Sequence, residues 1–290
     1  MTEPVWWRGV FNTWQEGLGG HINIQHHANS LDSARHLAAE KLGLDGQTLL
    51  DRGQAIFPLR DRIDFRRELT PGDAAVIEGL LTGDRDGSAM LNGSALIQPS
   101  STLTMRFETT FRPVDISSRE PRDWPEAARG GPDPLRALRP VADPLMPSRA
   151  PSNAWLTWRG TVEVRDCDHS GLMTCRAIYD LITRALWAVH IRLGRHRDTM
   201  RKTGAAGAVT AIQVRYGRPA RMGDLLEVRT SLLGAGSNSL RMGHLIANAV
   251  SGEAVAQVEY VNTFFSRTTG RKTPPEADYL EALLPTRLMT

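Results

Sequence analysis

Residues 166–194, DCDHSGLMTCRAIYDLITRALWAVHIRLG, contain a short polar loop followed by a periodic apolar stretch. After the loop, apolar residues recur at helical spacing, at Ile178, Leu181, Ile182, Ala185, Val189 and Leu193. This spacing predicts an amphipathic helix that ends at Gly194, because glycine commonly terminates helices. Thr174 is a good N-cap residue, so we expect the helix to begin at Cys175, with first-turn N–H groups that lack intrahelical partners.

The same arrangement occurs 151 positions earlier in the chain. There Asn23 takes the place of Thr174, and apolar residues recur at helical spacing from Ile24 as far as Leu42. Identical residues at this offset extend beyond the helix: Trp7-Arg8-Gly9 with Trp158-Arg159-Gly160, Gly20 with Gly171, Leu42-Gly43 with Leu193-Gly194, and Gly72-Asp73 with Gly223-Asp224. A period of this length is too long for a solenoid repeat and fits a small domain. The sequence therefore predicts two copies of one fold.

Each copy is predicted to contain one strand, one long helix and then four strands. The first strand of copy one is expected at 5–14, and the strands after the helices at 63–69, 75–82, 89–97 and 103–111, then 212–216, 225–233, 240–249 and 254–265. The fold class is therefore α+β. Five strands and one helix leave a sheet face and an edge uncovered, so we expect the copies to pack side by side, with roughly antiparallel helices and joined sheets.

The predicted domains are residues 1–115 and 153–290, separated by a linker at 116–152. Nine of the seventeen prolines lie between Pro113 and Pro151, together with many Arg, Asp and Ser residues. This composition predicts extended or irregular chain connecting the two copies. An alternative role for the linker is to cover a site.

The composition is that of an ordinary globular protein, with 41% hydrophobic and 23% charged residues. No apolar run approaches the roughly 18 residues needed to cross a bilayer, and the first residues lack the features of an export signal. The net charge of +3 is small, and the two cysteines, Cys167 and Cys175, are expected to be reduced thiols. We therefore expect a cytoplasmic protein without a nucleic-acid or membrane partner.

Asp168 precedes the predicted helix N-terminus by a few residues. The N–H groups of a helix N-terminus stabilise an oxyanion, and a nearby carboxylate can attack a carbonyl group or activate water. The combination suits acyl transfer. The pattern also has a purely structural explanation, because Asp before a helix is commonly a cap and D-x-x-G is commonly a turn.

With the order of its elements, the loop DCDHSGLM resembles the hotdog-fold thioesterases of the 4-hydroxybenzoyl-CoA thioesterase type, whose loop has the pattern D-x-D-x-x-G. Copy one resembles a sister branch with the pattern D-x-x-G-H-M-N, present here as residues 17–23, GLGGHIN, followed by Leu31-Asp32-Ser33-Ala34. The resemblance covers both repeats. It implies two hotdog domains, each a long helix wrapped by a five-stranded antiparallel sheet, packed as a fused pseudo-dimer.

The resemblance implies three catalytic features in copy two. Asp168 corresponds to the catalytic nucleophile or general base, and the Cys175 backbone N–H to the oxyanion donor. Gly171 corresponds to the glycine that lets the substrate approach the backbone. Copy one has Gly17 at the carboxylate position, and Glu16 is one residue away, which reverses side-chain direction on an extended segment. The first loop is therefore predicted to have lost this chemistry or to perform it differently.

Six residues are predicted to contact the substrate: His21, Asn23, His169, Tyr179, Arg215 and Arg218. Structural alternatives remain open for all of them. Asn23 fits a helix cap and His21 a loop histidine, His169 fits a solvent-facing position, and Tyr179 fits the core. The arginines fit either the phosphates of coenzyme A or an exposed cluster that also includes Arg221. No metal and no cofactor are expected, because no ligand spacing repeats and the adjacent His26 and His27 cannot share a helix face.

The predicted function is hydrolysis of an acyl-CoA or acyl-carrier-protein thioester, with the acyl group in a channel between the two helices. A medium-length or aromatic acyl group is expected over acetyl, with a small polar acyl group as the competing expectation. One alternative is an acyl-thioester dehydratase or hydratase that pairs His21 with Asp168. Another is a protein that binds an acyl thioester without catalysis. A homodimer of the whole chain is a further expectation.

Overall fold

The computed structural model describes residues 4–17, 20–83, 87–125, 147, 149–194, 205–266, 268–275 and 277–287. The described residues fall into two compact units. The first contains those up to 125 together with 163–179 and 219–222, and the second contains the others. No helix among the described residues has both the length and the hydropathy required to cross a bilayer.

The first unit contains a five-stranded antiparallel sheet of order β1-β3-β4-β5-β2. Its elements are β1 (Val5–Val10), α1 (Ile24–Lys41), α2 (Gly46–Asp51), β2 (Gln54–Phe65), β3 (Ala74–Gly83), β4 (Ala89–Gln98) and β5 (Thr102–Asp115). Helix α1 packs against β1, β2 and β3. Its buried face includes four small or apolar residues that are fully buried, Ala28, Leu31, Ala34 and Ala38.

The second unit contains a sheet of the same connectivity, β6-β8-β9-β10-β7. Its strands are β6 (Trp155–Thr161), β7 (Ala205–Tyr216), β8 (Leu225–Ala235), β9 (Ser239–Asn248) and β10 (Ala254–Ser266). The long helix of this repeat is α3 (Cys175–Arg192), and a short helix α4 (Ala277–Leu283) packs near β8. Because strand order and helix length agree between the repeats, the predicted duplication and the α+β class are confirmed.

The shared Trp-Arg-Gly triplet is a packing requirement of the fold. A Cβ atom added to Gly9 would lie 2.4 Å from Cζ2 of Trp7, and one added to Gly160 would lie 2.7 Å from Cζ2 of Trp158. In both repeats the indole therefore occupies the space that any other side chain would need. The matching residues explain the common fold, and differences between the repeats are the better guide to function.

The helix starts were predicted correctly at Ile24 and Cys175, whereas some strand bounds and two short helices were missed. Strand β2 begins at Gln54, earlier than predicted, because Pro58 interrupts the alternating pattern of the sequence. The structure accommodates this proline at a bulge between Pro58 and Arg60. Helices α2 and α4 are too short to give a clear period.

The predicted linker lies mostly outside the described residues, but its first ten residues fold back on β5. The N–H of Asp115 donates to the carbonyl of Glu120, and the N–H of Arg122 donates to the carbonyl of Pro113. The Trp124 ring meets Phe111 edge to face, with ring centroids 5.9 Å apart. Residues 116–125 therefore extend the first unit.

Candidate active site

The two loops that precede the long helices have the same backbone hydrogen bonds. The N–H of Gly17 donates to the carbonyl of His21 (2.8 Å), and the N–H of Asp168 donates to the carbonyl of Leu172 (3.0 Å). Isolated bridges between Glu16 and Ile22, and between Cys167 and Met173, also match at the offset of 151 positions. The position of Asp168 in the second loop is therefore that of Gly17 in the first.

Each loop turns at a glycine with positive φ. Gly20 has a φ of +82° and Gly171 a φ of +77°, values that residues with a Cβ rarely adopt. The N–H of Gly171 donates to the carbonyl of Asp168 (3.0 Å), and that of Gly20 donates to the carbonyl of Gly17 (3.1 Å). In this structure, Gly171 is needed for the shape of the loop.

The half-buried carboxylate of Asp168 is oriented by Ser170. Its Oδ1 accepts hydrogen bonds from the Ser170 N–H (2.8 Å) and from the Ser170 hydroxyl. Among the described residues none donates a hydrogen bond to Oδ2. The arrangement is an Asx turn, which fixes the side chain and leaves one carboxylate oxygen for chemistry.

Helix α3 is capped as the sequence predicts. The Thr174 hydroxyl accepts a hydrogen bond from the Ala177 N–H (3.2 Å) and donates one to the carbonyl of Asp166 (3.1 Å). Cys175 is the first helical residue, and its side chain is buried. Its N–H belongs to the first helical turn, whose N–H groups have no intrahelical carbonyl partner and carry the positive end of the helix dipole.

The histidine of the first loop lies close to a carboxylate that follows β2. Nδ1 of His21 lies 3.5 Å from Oε1 of Glu68, with both side chains partly exposed. The equivalent positions in the second repeat are Leu172 and Pro219. Glu68 is not among the residues predicted from the sequence, although comparison of the two repeats at the constant offset shows that this residue, like His21, has no polar counterpart.

Asn23 occupies the N-cap position of α1 and its Oδ1 accepts a hydrogen bond from the Gln25 N–H (3.4 Å). This is the capping role that the sequence left open for it. His169 is exposed at the tip of the second loop. Tyr179 is fully buried, and its hydroxyl lies 3.4 Å from Oδ2 of Asp61.

The arginines of the predicted cluster are divided between the two units. Arg215 and Arg218 are exposed and lie in the second unit, where Arg218 pairs with Glu253 at 3.3 Å. Arg221 lies in the first unit, and its guanidinium donates to the carbonyls of Ile116 (2.6 Å) and Ser117. Arg221 therefore anchors the chain that follows β5.

The first unit contains a buried polar cluster that was not predicted from the sequence. Arg35 of α1 is fully buried, and its Nη1 donates to Asp61 Oδ1 (3.1 Å) and to the Thr109 hydroxyl (2.9 Å). Its Nε and Nη2 donate to Oδ1 of Asp32 (3.4 and 3.1 Å). The signal was the position of Arg35 on the apolar helix face between Leu31 and Ala38, where a charge must find a partner.

His27, next to His26 in α1, lies in the core of the first unit. His27 is buried between the rings of Phe11 and Phe65, and burial, followed by the positive charges of His21 and His26, lowers its pKa to about 3. His27 is therefore a neutral ring of the core. No group of three or more potential metal ligands occurs in the described part of the chain.

Three solved structures that match this chain over most of its length are described as thioesterases. An oleoyl thioesterase from Lactobacillus plantarum has a TM-score of 0.72 at 14% identity, covering 94% of this chain and 98% of its own. A 12:0-ACP thioesterase from Umbellularia californica gives 0.65 at 15% identity, with 89% and 93% covered. An acyl-ACP thioesterase from Bacteroides thetaiotaomicron gives 0.63 at 12% identity, with 88% and 96% covered. At these identities the likeness establishes the fold.

The family assignment comes from the sequence itself. No curated protein sequence gives a significant match. The family model of the thioesterase-like superfamily matches residues 12–131 and again residues 162–283, so that each repeat is matched separately. The two matches together cover most of the chain and contain both loops. The chain belongs to the thioesterase-like superfamily and is a thioester hydrolase with two hotdog repeats.

Proposed function

We propose that the chain hydrolyses an acyl-CoA or acyl-carrier-protein thioester at the second loop, residues 166–174. The observation that carries this proposal is the Asp168 carboxylate, which Ser170 holds in the loop leading directly into the N-terminus of α3. The first loop has the same backbone geometry but a glycine at this position. The shared fold therefore does not require a carboxylate at this position.

Asp168 acts either as the nucleophile or as a general base that removes a proton from water. In both cases the thioester carbonyl oxygen becomes an oxyanion, which the N–H of Cys175 stabilises at the positive end of the helix dipole. Collapse of the tetrahedral species breaks the carbon–sulfur bond and releases the thiol. As a nucleophile, Asp168 forms an acyl anhydride that water then hydrolyses. As a general base, Asp168 activates a water molecule, which attacks the carbonyl carbon directly and gives the carboxylic acid without a covalent intermediate.

The acyl group is proposed to be of medium length or aromatic. The similar structures from Umbellularia and Lactobacillus are described as acting on 12:0 and oleoyl thioesters, which supports an extended acyl chain. Each buried methylene contributes about 0.8 kcal/mol, so chain length should raise kcat/KM steeply until the binding site is filled. Arg215 and Arg218 are proposed to contact the carrier's phosphates, since both are exposed.

The competing site is the first loop, where Nδ1 of His21 lies 3.5 Å from Oε1 of Glu68. The same pairing weakens the dehydratase alternative, since that alternative required His21 to act with Asp168. Nδ1 of His21 instead lies 3.5 Å from a carboxylate oxygen of its own repeat.

The deciding experiment compares Asp168→Asn with Asp166→Asn in thiol-release assays on acetyl-, hexanoyl-, decanoyl- and benzoyl-CoA and on decanoyl-carrier protein. Asp168→Asn should lower kcat about 10²-fold or more, as expected when a catalytic acid–base group is removed. Asp166→Asn is the matched control, because Asp166 is a carboxylate of the same loop that accepts the Glu163 N–H. If Asp168→Asn stays near native activity while His21→Ala abolishes hydrolysis, the working site is the first loop.

A further inference from the structure

Asp61 connects the buried Arg35 to the first turn of the helix that follows the Asp168 loop. Its Oδ1 accepts a hydrogen bond from Nη1 of Arg35 at 3.1 Å. Its Oδ2 accepts from the Cys175 thiol, with sulfur at 3.6 Å, and from the Tyr179 hydroxyl at 3.4 Å. All of these side chains belong to the first unit and are almost completely buried.

Cys175 and Tyr179 are four positions apart on α3, so they lie on the same helix face one turn apart. A single carboxylate oxygen that accepts from both fixes the height and the rotation of this first turn. The turn contains the Cys175 N–H, which is the oxyanion donor of the proposed function. A displacement of about 1 Å at such a group can cost about 10²-fold in rate.

The residues related to this cluster by the offset of 151 positions do not form an equivalent polar cluster. At the offset of 151 positions, Asp61 corresponds to Ile212, Arg35 to Leu186, Cys175 to Ile24 and Tyr179 to Ala28. The polar anchor thus exists for the helix that follows the carboxylate loop, while the helix that follows the glycine loop has apolar residues at the corresponding positions. The carboxylate loop and the polar anchor therefore occur at the same helix, α3.

Stability alone does not account for this cluster. A buried ion pair is often no more stabilising than apolar residues of similar size, because desolvation of the charges offsets their attraction. The second repeat shows that apolar residues satisfy the fold at these positions. The directional contacts of Asp61 supply what apolar packing lacks, namely a fixed orientation of the helix terminus.

We propose that Asp61, held by Arg35, is the positioning residue of the thioesterase site and acts through Cys175 and Tyr179 on the oxyanion donor. The proposal rests on the proposed function, in which the second loop is the site of hydrolysis. It also gives the first repeat a role after the loss of its own carboxylate, because that repeat supplies Arg35 and Asp61.

The experiment removes the two contacts while keeping the ion pair. The double variant Cys175→Ala/Tyr179→Phe retains the backbone N–H, the aromatic ring and the Arg35–Asp61 pair, and should therefore fold. The expected result is a fall in kcat of about tenfold or more with KM changed by less than about threefold. Amide hydrogen exchange in residues 175–179 should become faster, with exchange in α1 unchanged.

The matched control is Tyr279→Phe, which also removes a buried tyrosine hydroxyl, one that lies 3.3 Å from Nδ1 of His190. It should lower the Tm while leaving kcat unchanged, which separates positioning from a general loss of stability. Unchanged kcat in the double variant would overturn the proposal, as would a change confined to KM. Asp168→Asn is assayed in parallel: if it retains activity, the proposed site itself has failed, and the Asp61 proposal fails with it for that separate reason.

Discussion

Nδ1 of His21 lies 3.5 Å from Oε1 of Glu68 in the first repeat, whereas Leu172 and Pro219 occupy the equivalent positions in the second. The second repeat has Asp168 where the first has Gly17. The two loops therefore share backbone hydrogen bonds but differ in their side chains. Asp168 is present only in the second loop, and His21, with Glu68 nearby, only in the first.

Gly17→Asp should restore a carboxylate to the first loop without disturbing the fold. Gly17 is not among the residues with positive φ, and a Cβ added there would lie 3.6 Å from the His21 carbonyl oxygen and 3.7 Å from Asn23, which are ordinary contacts. In an Asp168→Asn background, we expect Gly17→Asp to recover measurable thiol release from decanoyl-CoA. Gly20→Asp is the control, since a φ of +82° should make it lower the Tm. Absence of recovery by a folded double variant would show that the first loop lacks more than a carboxylate.

Ser170→Ala should weaken catalysis while retaining the Asp168 carboxylate. The Ser170 hydroxyl donates to Oδ1, and a hydrogen bond to a charged group contributes about 1.5–3 kcal/mol. We expect kcat/KM to fall about tenfold or more, measured by steady-state thiol release. Ser170→Thr, which keeps a hydroxyl, should retain most activity. Equal losses in both variants would indicate that loop shape, rather than the hydrogen bond, is responsible.

Stability should fall as the pH is lowered below 6.5, because two buried histidines resist protonation. Burial lowers the pKa of His27 and of His244 from 6.5 to about 3, so the unfolded chain binds these protons first. Their stabilising contribution is fully present above pH 6.5 and is lost as the pH falls from 6.5 toward about 3, by up to about 1.4 kcal/mol per pH unit for each ring. Urea unfolding at pH 7.5, 6 and 5 measures this slope.

The histidine assignment is checked by His27→Phe, which keeps an aromatic ring between Phe11 and Phe65. This variant should reduce the pH slope by about half of the combined histidine contribution. A slope that is the same in wild type and His27→Phe would contradict the assignment.

Tyr260→Phe should keep or increase stability, unlike most core substitutions. The Tyr260 hydroxyl is buried in the second unit and has no hydrogen-bond partner among the described residues. Removing an unsatisfied buried hydroxyl should raise the free energy of unfolding by about 1 kcal/mol. Tyr279→Phe, which removes a partnered hydroxyl, should lower it by a similar amount. Equal losses in the two variants would indicate a bound water at Tyr260.

Local patterns were sufficient to predict the repeat, both long helices and their first residues. A helix start depends on a cap and on apolar spacing within a few positions, as at Thr174 and Cys175, and these signals are contained in a short stretch of sequence. The bounds of β2 were less predictable. Pro58 interrupts the alternating pattern, and only the pairing with β5 shows that the strand continues across it through a bulge.

The sequence by itself determined the duplication, the family, and the presence of glycine rather than a carboxylate at position 17, because each of these is visible in the order of residues. Tertiary structure alone decided that Asp61 meets Cys175 and Tyr179, and that His21 meets Glu68. These partners are far apart in the chain, and strand register and helix placement determine whether they meet. Contacts of that kind depend on the folding of the whole unit, so no local pattern of residue types encodes them.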